Sequence, residues 1–226
     1  MGMGKELGRW LGPQAHRLAP DLTTSFIHEA LHRAVHGIGP LPPAATVADR
    51  KLADSGGDVK KAISEIIELH VRLAGAQGFA TNIGGLTLAA VTVPANIAGL
   101  AMIQCRMVAA IAHLRGYDIQ DPRMRNAILG CVLGEDDVQR LIKKKLIPAP
   151  PMAIATAPAY DPNLDRLMAA EVTSELLTRV AGKRTANVIA RRVPIMGGFI
   201  GAGTDGYATW QIGRYADREL LSRKRV

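Results

Sequence analysis

Residues Leu73–Leu114 constrain this chain more than any other part of it. They are 42 residues with one charge, Arg106, and five glycines: Gly75, Gly78, Gly84, Gly85 and Gly99. A shorter stretch of the same kind, Val193–Ile212, carries a single charge at Asp205. Surface so poor in charge has to be covered by the rest of the chain, a partner, a lipid or a bilayer. The longer stretch could make two short membrane spans broken at Pro94. Against that stand Gln77, Asn82, Asn96, Gln104, Arg106 and His113, too many polar groups to turn toward lipid tails. The sequence therefore predicts a buried hairpin, or one that only touches a membrane.

At 226 residues the chain is long enough to bury a real core in one domain. Its net charge of +8 favours acidic partners. Nine aromatic residues and no basic motif interleaved with stacking rings argue against nucleic acid, which leaves the anionic face of a membrane. Cys105 and Cys131 lack metal or redox spacing and read as small core residues of a reducing compartment. Met1–Glu6 shows neither the apolar run of a signal peptide nor a myristoylation motif, so the expectation is a cytoplasmic protein, peripheral on the inner face of the cell membrane where it meets lipid.

The pattern along the chain is helical throughout, with no sustained alternation of period two. Asp21–His36 carries an apolar stripe that includes Phe26, Ile27, Ala30 and Leu31, and Ala44–Asp54 follows after a proline-rich loop. Asp58 is an N-cap for a third helix. Pro94 suits the first turn of a helix, which predicts an antiparallel pair over Leu73–Val93 and Pro94–Arg115, with small residues letting the backbones approach. Asp121-Pro122 opens a helix to about Leu133, Glu135–Leu146 is a short one, and the five prolines of Ile147–Pro162 predict an irregular crossover. Asn163–Ala181 is expected to be capped by Gly182, Lys183–Arg192 to continue as a basic helix, and Gly206–Arg223 to form the terminal one. The predicted fold is all-α: an N-terminal arm over residues 1–20, then a single multi-helix bundle over 21–226, with the glycine-rich hairpin at its centre.

Two motifs suggest chemistry. His28-Glu29-Ala30-Leu31-His32 spells the zinc-hydrolase helix, with His28 and His32 as ligands and Glu29 activating water. The apolar stripe lies nearly opposite these histidines, however, and no further ligand follows at the right spacing, so the plain expectation is a solvated histidine row. Gly201–Gly206 spells a dinucleotide fingerprint without the strand and second half that it needs, and reads instead as close helix packing. No cofactor is expected.

The polar residues within the apolar stretches are the stronger candidates. Asn82, Asn96, Gln104, Arg106, His113, Asp205 and Gln211 are predicted to converge inside the bundle as a structural network or as the polar end of a ligand pocket, because unpaired burial of each costs kilocalories. Basic residues flank the second apolar stretch, and Arg184, Arg191, Arg192 and Arg218 are the candidates for facing anionic headgroups.

Several runs resemble the bacterial EcsC family: His70-Val71-Arg72-Leu73-Ala74-Gly75-Ala76-Gln77-Gly78-Phe79-Ala80-Thr81, Gly84-Gly85, Pro94-Ala95-Asn96, Ile111-Ala112-His113-Leu114-Arg115-Gly116-Tyr117-Asp118 and Pro194 to Asp205. The resemblance covers about Asp58–Leu220. Asn96 stands where many relatives carry Asp, so a charge-dependent role does not transfer to it. The family is named for a gene accompanying an ABC transporter, and the resemblance implies a helical domain with membrane or lipid connections. The expected function is non-enzymatic binding of a lipid or apolar ligand, or docking on an anionic membrane, through the glycine-rich helices. The alternatives are an interaction protein that docks on a transporter or on a second copy of itself, and a zinc hydrolase using His28, Glu29 and His32.

Overall fold

A computed structural model describes residues 20–39, 41–83, 89–189 and 194–223, with side chains over 25–39, 41–77, 97–178 and 203–223. The described chain is all-α. Its helices are α1 (Pro20–His36), α2 (Ala44–Asp54), α3 (Val59–Ile83), α4 (Ala89–Leu114), α5 (Pro122–Leu133), α6 (Glu135–Lys143), α7 (Pro151–Ala155), α8 (Pro162–Ile189) and α9 (Pro194–Glu219).

The centre is α4, the apolar helix, which packs against α1, α2, α3, α5, α8 and α9. From Ala101 to Ala112 nearly every residue of α4 is buried, as expected of a helix apolar on all sides. The most extensive interface lies between α3 and α9, which run antiparallel: Gly206 sits on Val71 and Gly213 on Ile67. A Cβ on Gly213 would meet Ile67 Cγ1 at 2.9 Å and Met107 Sδ at 3.1 Å, so here the absent side chain is what brings the backbones together.

Local signals place most boundaries. Asp58 caps α3, its Oδ1 accepting from the backbone N–H groups of Lys60 and Lys61. Asp121 caps α5 in the same way, accepting from Arg123 N at 2.8 Å, with Pro122 at the first helical position. Between α1 and α2, Gly37 has φ +82°, and a Cβ there would lie 2.7 Å from the Leu41 carbonyl, so only glycine fits the turn.

Four expectations are corrected. Leu73 is not the start of a hairpin arm, since α3 runs unbroken from Val59 to Ile83. Pro94 is the sixth residue of α4 rather than the first, a position where it removes a single intrahelical hydrogen bond. Gly182 does not end a helix, because a lone glycine costs only about 1 kcal/mol relative to alanine and α8 has 28 residues to outweigh it. For the same reason the second glycine cluster lies inside α9, which opens with Pro194. The proline-rich crossover also holds the short helix α7, two of whose five residues are proline or methionine at its start.

Candidate functional site

One stripe of α4 carries Gly99, Arg106 and His113, each two turns from the next. Gly99 lies against the Gln77 side chain of α3, where a Cβ would come within 2.5 Å of Nε2. His113 Nε2 lies 2.9 Å from Asp49 Oδ1 of α2. Arg106 falls between them. On α3, His70 is two turns before Gln77, so the antiparallel register brings His70 to the level of Arg106.

Both residues are buried, His70 at 1% and Arg106 at 9% exposure. His70 Nδ1 is 2.7 Å from the Ile66 carbonyl. A carbonyl only accepts, so Nδ1 carries the proton and Nε2 is left with its lone pair. Burial lowers the His70 pKa to about 4; the Ile66 hydrogen bond opposes this and the Arg106 charge adds to it. The ring is therefore neutral at ordinary pH. Burial also lowers the Arg106 pKa, yet a guanidinium keeps its charge in a protein. Arg106 Nε is buried without a hydrogen-bond partner, and among the described residues no carboxylate pairs with the guanidinium.

Of the other predicted residues, Gln104, His113 and Gln211 have partners elsewhere. Gln104 is two residues from Arg106, about 200° around the helix, and so faces away from it. Its Nε2 donates to Thr209 Oγ1 of α9 at 3.2 Å, while Oε1 is buried without a partner among the described residues. Asp205, one turn before Thr209, is also buried. Gln211 is exposed and donates to Tyr207 Oη at 3.4 Å. Of the basic candidates, Arg218 is exposed and pairs with Glu135 at 2.6 Å. Asn82, Asn96, Arg184, Arg191 and Arg192 lie outside the described side chains.

The histidine row is split. His28 is half-buried, its Nε2 lying 2.9 Å from Asp165 Oδ2 of α8. Burial would raise the Asp165 carboxyl, but His28, helped by Arg125 and Tyr160, outweighs it and holds the pKa below the usual range. His32 and His36 are exposed and in ring contact at 4.3 Å between centroids. Among the described residues no three His, Cys, Asp or Glu side chains converge where a metal ion could sit. Cys105 and Cys131 are fully buried free thiols, and burial pushes Cys105 up to about 12.

Two features escape a reading by sequence. Tyr207 and Trp210 stack on the exposed face of α9, with ring centroids 6.0 Å apart and exposures of 61% and 46%. Their spacing of three residues was the available signal, since it puts them on one face. An open groove of about 780 Å³ runs along the turn after α4, lined by His36, His113, Tyr117, Arg123 and Arg223 among others. It is built from residues distant in sequence. Its charges are largely spent within the protein: Arg123 binds Asp121 and the Ala157 carbonyl, and Arg223 sits over the Tyr117 ring.

A helical bundle with an apolar core helix, glycine-mediated packing and an exposed aromatic pair defines a class without an evident catalytic constellation among the described residues. Comparison with known families matches residues 18–225 to the EcsC protein family. The chain belongs to that family. The match begins well before Asp58, so α1 and its histidines lie inside the family region. Neither the curated proteins nor the solved structures contain a match to this chain.

Proposed function

We propose that this protein docks, without catalysing a reaction, on an anionic membrane surface through the glycine-rich end of its bundle. The observation that carries this reading is the exposed Tyr207–Trp210 stack. Large rings are expensive to leave in water, and Trp and Tyr favour the headgroup level of a bilayer, where one edge is apolar and the other wet. Their place along α9 fits that level. The sequence before them, from Pro194 to Gly203, is uncharged, while Arg214 and Arg218 follow on the exposed side. Apolar chain, aromatic pair and arginines thus succeed one another along one helix, the order of polarity from bilayer to water. Among the described residues Ile97–Leu114 is the one stretch long and apolar enough to cross a membrane, and 67% of it is buried inside the bundle, which supports docking over spanning by this helix.

The test is co-sedimentation with phosphatidylcholine vesicles containing or lacking phosphatidylglycerol. Binding is expected to need the anionic lipid and to fall at least tenfold in the double variant Tyr207→Ser/Trp210→Ser, since losing two interfacial rings exceeds the 1.4 kcal/mol that a factor of ten represents. In a Trp10→Phe background, Trp210 is the sole tryptophan. Its emission should shift to the blue on vesicles. Unchanged emission together with self-association that the double variant abolishes would favour the second reading, a second copy of this chain on the same face.

A further inference from the structure

We propose that Arg106 and His70 form a binding site for a phosphate group that still carries a proton, either a phosphomonoester headgroup or free phosphate. The helix register sets the two residues at one level of the α3–α4 interface, and each is more than nine-tenths buried. Arg106 is a permanent cation that has no carboxylate partner among the described residues and whose Nε is buried and unsatisfied there. Neighbouring positions on α4 are Met102, Ile103 and Ala110, which supply no counter-charge. A buried cation of this kind is destabilising on its own and is relieved by an anion that brings several acceptor oxygens.

His70 decides which anion. Its protonated nitrogen is held by the Ile66 carbonyl, so the other nitrogen can only accept. An acceptor repels a fully deprotonated oxyanion and welcomes one that offers an O–H. A phosphomonoester at neutral pH meets both demands, because its second pKa is about 6 and a share of it keeps a proton. Its charged oxygens accept from the guanidinium and its P–O–H donates to His70 Nε2. Sulfate and a phosphodiester have no such proton.

The experiment compares the wild-type protein with Arg106→Met and His70→Gln by thermal unfolding in inorganic phosphate and in sulfate at equal ionic strength, near pH 6.5. The wild type is expected to gain Tm in phosphate well beyond sulfate. Arg106→Met should lose the phosphate gain while being no less stable than wild type without added anion, because it removes a charge that lacked a partner. His70→Gln, whose amide can donate, should let sulfate act like phosphate. Equal wild-type shifts in the two anions, or a phosphate gain that survives in Arg106→Met, would overturn the assignment. Should either variant not fold, phosphorus NMR of wild-type protein in phosphate, with and without competing sulfate, decides alone: broadening that sulfate leaves intact supports the site, and none refutes it. Vesicles doped with phosphatidic acid or phosphatidylglycerol separate the sources. Preference for phosphatidic acid that Arg106→Met abolishes points to a headgroup, whereas a phosphate response without that preference points to a free phosphate. Docking through Tyr207 and Trp210 and phosphate recognition at Arg106 are separate losses, so either can fail alone.

Discussion

His70 couples protonation to stability at the residue scale. Its pKa is about 4 in the folded protein against 6.5 when free, so the unfolded state binds a proton first as pH falls. Stability contributed by the neutral ring is complete above pH 6.5 and is lost progressively as pH drops toward 4. A shift of this size corresponds to about 3 kcal/mol over the whole window. Urea unfolding across that range should show midpoints falling with acidity, and His70→Gln should remove most of the fall. A slope unchanged in the variant would assign the acid sensitivity to other groups. Gln104 illustrates a different residue-scale outcome: its buried amide is half satisfied by Thr209, a structural role that needs no ligand.

At the scale of elements, glycine acts in two ways. Gly37 serves its backbone, being the residue whose left-handed φ turns α1 toward α2. Gly213 serves its neighbours, because the space a side chain would fill is held by Ile67 and Met107. Gly213→Val should therefore cost about 1–3 kcal/mol despite removing a glycine from a helix, since overpacking a three-helix contact outweighs a propensity gain of under about 1 kcal/mol. Guanidinium unfolding measures it, and a variant as stable as wild type would show that α9 can move off α3 at no cost. The ion pairs that tie α9 to its surroundings, Arg115–Asp217 and Arg218–Glu135, add orientation more than stability, because their members remain partly exposed.

For the molecule as a whole, a net charge of +8 acts together with the aromatic face of α9. Attraction of basic residues to anionic lipid is worth about 1 kcal/mol each near the surface and is screened within a Debye length. Affinity for vesicles containing phosphatidylglycerol should accordingly fall steeply as salt rises, while any residual affinity for pure phosphatidylcholine should not. Salt-independent binding would mean that the rings act alone. The amino-acid sequence by itself determined the all-α class, the spans of α2 and α5, the cap at Asp58 and the helix start at Asp121-Pro122, because these rest on local hydrogen bonds and on the 3.6-residue period. It also marked Arg106 as an anomaly, since one charge in an apolar stretch is visible without coordinates. Only the tertiary structure decided that Arg106 stands level with His70 while Gln104 bonds Thr209, and that His28 meets Asp165. It alone decided too that Gly182 and the second glycine cluster stay helical. Which residues a helix face meets, and whether neighbours repay a weak helix former, depend on packing between segments far apart in the chain, and no local pattern encodes that.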